Sequence, residues 1–171
     1  LAEYYKVAEE KQVIQLASHF FDMLQAHAFD SESGGYLEAF DRNWVLSDDL
    51  RLSAVDMNEK KSMNTHLHVL EAYTALLSVW DSKNLESKLT DTLQVFLNHI
   101  INPETFSFHL FFDEKWTPKS EKISFGHDIE GSWLLVEAAN ELHDQALFEK
   151  TKQTALPVSY THLTLPTKVS V

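Results

Sequence analysis

The 171-residue sequence contains no cysteine. Disulfides and thiolate metal sites are thereby excluded, and the absence fits a reducing cytoplasm. Glycine is scarce, four in all, and neither GxGxxG nor GxxxxGK followed by Ser or Thr occurs, so nucleotide-phosphate cradles have no support. Positive charge is also short: 14 Lys and Arg against 26 Asp and Glu leave a formal net charge of -12, and the few cations do not cluster. Nucleic acid and anionic membrane are therefore poor partners. No apolar run approaches the roughly 20 residues a membrane span needs, and the N-terminal LAEYYKVAEEKQ lacks the basic-then-apolar pattern of a signal peptide. The first residue is Leu rather than Met, so the expected start lies upstream. What remains is a small ligand that is not strongly anionic.

What the chain does have is a 44% hydrophobic content, enough for one domain with a sizeable core, and 12% aromatics with four tryptophans. Flat apolar surface of this kind either packs a core or stacks on sugar rings.

Hydrophobic spacing near 3.6 predicts a helix over about 8–27, carried by Val13, Leu16, Ala17, Phe20, Phe21 and Leu24. Gly34-Gly35 makes a turn, and YLEAFDRNW (36–44) reads as a short strand or hairpin arm. A long polar connection then runs to Lys61; loops of that length are often functional. Helical spacing returns over 63–80 and 85–101, Asn102-Pro103 stops the second of these, and FSFHLFFD (106–113) alternates like a β-arm before a turn at 116–118. Further helices are expected over 128–143 and 144–153. The fold class is all-α, with helices alternating between tight turns and hairpin-bearing loops. A toroid of this rhythm gathers its loops on one face. A full (α/α)6 barrel, with twelve helices of about 12 residues, needs roughly 300 residues, about twice this length.

The last stretch differs in kind. After Glu149 no acidic residue occurs and the periodicity fades, and VSYTHLTLPT resembles translated sequencing adapter. The expected division is a partial barrel domain over 1–155 and a non-native, unstructured tail over 156–171.

Two polar clusters carry the chemistry. KSMNTHLHVLEAY (61–73) invites a metal reading through His66 and His68, but on a helix residues two apart point about 200° from each other and cannot grip one ion. Asn64, His68 and Glu71 instead fall on one stripe, with His66 on another face in a structural or solvent-facing role. In GHDIEGSW (126–133), His127 and Glu130 are three apart at a helix start, where the carboxylate can fix the imidazole tautomer and create a general base. No metal is expected, since neither the HExxH arrangement nor a thiolate is present.

These segments, GGYLEAFDRNW, DMNEKKSMNTHLHVLEAY and ISFGHDIEGSWLLVEAA, resemble the N-acylglucosamine 2-epimerase superfamily, most closely its cellobiose 2-epimerase branch, and the likeness covers residues 1 to about 155. The resemblance implies about half of an (α/α)6 barrel with short β-hairpin loops on the active-site face. It implies a cofactor-independent enzyme that epimerises the reducing-end glucose of a β-1,4-linked disaccharide at C2 through an enediol. By this resemblance His127 is one histidine of the acid/base pair, Glu130 its orienting carboxylate, and His68 a second active-site histidine for ring opening or oxyanion binding. Asn64 and Asp56 would hold sugar hydroxyls, while Tyr36 and Trp133 would contact sugar or pack. The family's substrate-contacting arginine and its partner histidine have no counterpart in the chain. Aldose–ketose isomerisation or N-acylglucosamine epimerisation on the same barrel is the alternative, followed by α/α-barrel glycoside hydrolysis with Glu38, Glu71 and Glu130 as the available carboxylates.

Overall fold

The computed structural model describes residues 1–51, 53, 54 and 56–160. Six helices follow one another: α1 (Ala2–Ala8), α2 (Lys11–His27), α3 (Met63–Leu77), α4 (Lys83–Val95), α5 (Phe125–Glu141) and α6 (Gln145–Tyr160). The only named sheet among the described residues pairs β1 (Lys61–Ser62) with β2 (Phe111–Phe112), antiparallel, Lys61 opposite Phe112 and Ser62 opposite Phe111. None of these helices is long and apolar enough to cross a membrane.

The helix expected over 8–27 is two helices. Glu9 takes the left-handed conformation (φ 51°) and its N–H bonds Tyr5 O, closing α1 before α2 opens at Lys11. Periodicity is blind to this break because the apolar spacing resumes immediately. Only Ala17 and Phe21 of the α2 stripe are buried, whereas Leu16 and Phe20 remain 44% and 49% exposed.

Helices α3, α4 and α5 supply the centre. Leu67 and Leu70 of α3, Leu85, Leu89 and Leu93 of α4, and Leu135, Ala138 and Ala139 of α5 have no exposed surface. Each fully buried leucine contributes about 1.5–3 kcal/mol of transfer free energy. Ser62 starts α3 by accepting the Thr65 N–H at 3.1 Å, and Ser82 starts α4 by accepting that of Leu85 at 3.4 Å. Such caps contribute about 1 kcal/mol each. The helix expected over 85–101 ends in a wider π-helical turn, Phe96–Ile100, which buries Phe96 and Ile100 together.

The two hairpin-like loops are almost free of regular strand. Single bridges Phe29↔Tyr36 and Phe40↔Leu46 replace the arm expected over 36–44, and within 106–113 only Phe111–Phe112 forms a strand. The partner of that strand is Lys61–Ser62, a pairing between segments fifty residues apart.

At the C-terminal end the last helix runs past the expected boundary at 155. Helix α6 continues through Leu156, Pro157, Val158 and Ser159 to Tyr160. Val158 is fully buried, and packing on α5 outweighs the lost N–H of Pro157. Residues 161–171, the rest of the expected tail, lie outside the described residues.

Candidate functional site

The two loops are joined by buried polar groups. Lys61 has no exposed surface, and its Nζ donates to Asp30 Oδ2 at 2.7 Å, Gly34 O at 2.7 Å and Glu114 O at 2.8 Å while lying 4.6 Å from the Trp116 ring centroid. All three ammonium donors are thus used. Burial works against the Asp30 carboxylate, but Lys61 and the N–H groups of Glu32 and Ser33 hold it below the usual carboxylate range. Trp116 Nε1 in turn donates to Ser33 O at 2.9 Å. Gly35 (φ 76°) sits where a Cβ would overlap the Trp116 ring and His66 Nε2.

His66 completes this junction. It is fully buried, its Nε2 accepts the Tyr36 N–H at 2.9 Å, and its Nδ1 lies 2.7 Å from Ser62 O. One nitrogen accepts, so the other must carry the proton and donate. Burial lowers its pKa to about 4, opposed by the bond to Ser62 O and helped by the Lys61 charge. His66 is a neutral structural histidine, and among the described residues no group of His, Asp and Glu is placed to hold a metal ion.

Beside the junction is a cavity of about 360 Å³, within the range of small-ligand sites. It is lined by Glu38, Leu50, Arg51, Asp56 and Met57 from the first loop and its continuation, Ser62, Met63 and Asn64 from the start of α3, Leu110 and Phe111 from the second loop, and Lys122, Ser124 and His127 leading into α5. Three residues named from the sequence, Asp56, Asn64 and His127, therefore meet on one cavity. They come from three separated segments.

His127 is positioned differently from the expectation. Its Nδ1 lies 2.7 Å from Ser124 Oγ, and that hydroxyl is its hydrogen-bond partner among the described residues. Ser124 is the N-cap residue of α5 but makes no side-chain bond to the helix backbone, so its hydroxyl is available to the imidazole one turn on. Glu130, partly buried one turn further, makes no such bond. The orienting partner assigned to Glu130 is thus a hydroxyl in this structure, because a side chain three residues behind reaches the ring first.

His68 follows Asn64 by one turn of α3, and its Nδ1 is 3.3 Å from Glu71 Oε2, with both side chains more than half exposed. The stripe exists, but only Asn64 belongs to the cavity lining. Tyr36 lies in the core, 2% exposed, its hydroxyl accepting from Gln25 Nε2 at 3.0 Å. Trp133 is 56% exposed and lines a separate groove with Val136, Phe148 and Leu156 between α5 and α6.

Two residues of GHDIEGSW serve packing instead. The fully buried Asp128 accepts the Phe108 N–H at 2.9 Å, and Gly131 leaves room for the Phe108 ring, which any Cβ there would overlap. This motif anchors the second loop as well as presenting His127.

Sequence reasoning gave Glu38 only a hydrolase role. Here its carboxyl is in the cavity wall, and burial raises its pKa, with the Asp56 charge acting in the same direction and Ser62 and Thr65 against it. The available signal was a carboxylate set between Leu37 and Ala39 in an otherwise apolar run.

The N-acylglucosamine 2-epimerase (GlcNAc 2-epimerase) family model matches residues 1–162. The chain is 42% identical over 147 residues to a cellobiose 2-epimerase of Bacteroides fragilis, covering 86% of this chain and 38% of that protein. It is 31% identical over 159 residues to one of Dictyoglomus turgidum, covering 93% and 40%. Among solved structures it resembles a sugar epimerase from a ruminal bacterium (TM-score 0.90, 30% identity, 96% of this chain and 42% of that one) and the cellobiose 2-epimerase of Bacillus thermoamylovorans (TM-score 0.86, 30% identity, 94% and 41%). The chain thus spans about two fifths of the length of these relatives, and its helices are that portion of their α/α barrel. With a family model that matches nearly its whole length, the chain belongs to the N-acylglucosamine 2-epimerase family.

Proposed function

We propose that the chain is the central part of a cellobiose 2-epimerase, interconverting glucose and mannose at the reducing end of β-1,4-linked disaccharides. The convergence of Asp56, Asn64 and His127 on one cavity is the observation that supports it most. Similarity to cellobiose 2-epimerases in two organisms supports the substrate class.

In this reading the sugar ring opens and exposes an aldehyde, which acidifies the C2 proton. His127 removes that proton through the ring nitrogen not facing Ser124, leaving an enediolate. Rotation about C2–C3 presents the opposite face, and an acid from the remaining length of the barrel returns a proton there. Asn64 and Asp56 hold hydroxyls, His68 assists ring opening, and Glu130 acts on His127 only once substrate or neighbouring helices reorder the α5 start. No cofactor enters the scheme. The 171-residue chain alone supplies one wall and is inactive.

The test is incubation of the full-length protein with cellobiose in D2O. Deuterium at C2 together with glucosyl-mannose is expected. A ketose product would replace this reading with aldose–ketose isomerisation, and free glucose with hydrolysis.

A further inference from the structure

The least explained polar group of the cavity is the Glu38 carboxyl. It belongs to the lining together with Asp56, Asn64 and His127; Ser62 and Thr65 favour its ionised form, yet its Oε2 is enclosed without a hydrogen-bond partner. Native structures rarely leave such an oxygen unsatisfied without a reason outside the fold itself. The residue is also held in place: the Glu38 N–H donates to Lys60 O at 3.0 Å, and the preceding Leu37 N–H to Ala28 O at 2.9 Å. The next residue after Lys60 is the fully buried Lys61, so the Glu38 backbone is tied to the most constrained point of the loops. A side chain on so fixed a backbone loses little freedom when it grips a ligand.

We infer that Glu38 is a further substrate-binding residue, its carboxyl gripping a hydroxyl of the sugar that occupies this cavity. A hydroxyl both donates and accepts, so it suits the carboxyl in either protonation state. Asp56 and Asn64 engage neighbouring hydroxyls, and the three residues together fix the sugar's orientation against His127. The assignment rests on the sugar-epimerase reading of the cavity.

The experiment compares wild type, Glu38→Gln, Glu38→Met and His127→Ala in the full-length protein. Turnover of cellobiose, calorimetric binding of C1-reduced cellobiose and melting temperature are measured for each. For Glu38→Met, KM and the analogue's Kd rise about tenfold, consistent with one lost hydrogen bond to a carboxyl, while kcat stays within about threefold. Its melting temperature changes little, because the gain from removing an enclosed, unpartnered oxygen offsets the loss of the Ser62 and Thr65 contacts. A purely structural glutamate would give the reverse, a lower melting temperature with unaltered affinity. That result, or a KM within about twofold of wild type, overturns the assignment. Should Glu38→Met fail to fold, Glu38→Gln decides by the same KM criterion. If wild type turns over cellobiose and His127→Ala does not, an unaffected Glu38→Met removes the Glu38 assignment alone. If wild type neither turns over nor binds the sugar, the epimerase reading falls and takes this one with it.

Discussion

The junction around Lys61 and the cavity next to it use the same residue types to opposite ends. In the junction, a buried lysine, a buried histidine and a half-buried aspartate have partners for their functional groups. In the cavity, Glu38 has an oxygen without a donor, and His127 keeps one ring nitrogen clear of its bond to Ser124. KSMNTHLHVLEAY spans both regions: His66 belongs to the first, Asn64 to the second, and His68, two residues on, is more than half exposed. Saturation marks a residue as structural, and incomplete satisfaction in a cavity wall marks it as available for a ligand.

The sharpest test of this contrast is a pair of substitutions. His127→Ala in the full-length protein should lower epimerisation by about 10²–10⁴-fold, as removal of a general base does, with little change in melting temperature. Lys61→Met should do the opposite, destabilising the fold by about 3–5 kcal/mol in urea denaturation, because it strands the Asp30 carboxylate and the part-buried Gly34 and Glu114 carbonyls. A stable Lys61→Met protein would break the comparison.

Acid provides a second test. The folded His66 pKa lies at about 4, below its unfolded value near 6.5, so unfolding takes up a proton between those limits. Stability is then complete above about pH 6.5 and falls as the pH drops towards 4, by about 3 kcal/mol in all. His66→Gln should flatten this slope. Asp128→Ala, which orphans the Phe108 N–H, should cost about 1–3 kcal/mol in the same denaturation assay. The smallest effect is expected for His68→Ala on stability, within about 0.5 kcal/mol, because its contact with Glu71 is long and exposed.

The helices were legible because their apolar residues recur at the period of the structure they form. Their geometry was enough to separate His66 from the Asn64 and His68 stripe. Non-local arrangements were not legible. Lys61 reads as the end of a polar connection, and nothing near it in sequence announces that Asp30, Gly34 and Glu114 will surround it. The β1–β2 pairing is two residues long, too short for any alternation to register. Ser124 was overlooked for a related reason: an N-cap serine is expected to satisfy backbone, yet this one serves a side chain. Asn64 and His127 were singled out by helical spacing and Asp56 through resemblance, and the cavity gives the three a common location.

The Lys61 ammonium also has a consequence for motion. Because one nitrogen binds Asp30 and Gly34 on one loop and Glu114 on the other, neither loop can swing outward without breaking the hold on its neighbour. The two loops therefore fluctuate as a single body, and amides in both should share one opening free energy in hydrogen exchange. Tyr36 N–H on the first loop and Lys119 N–H, bonded to Phe111 O on the second, would report that common event. The two loops that border the cavity thus share one hinge at Lys61.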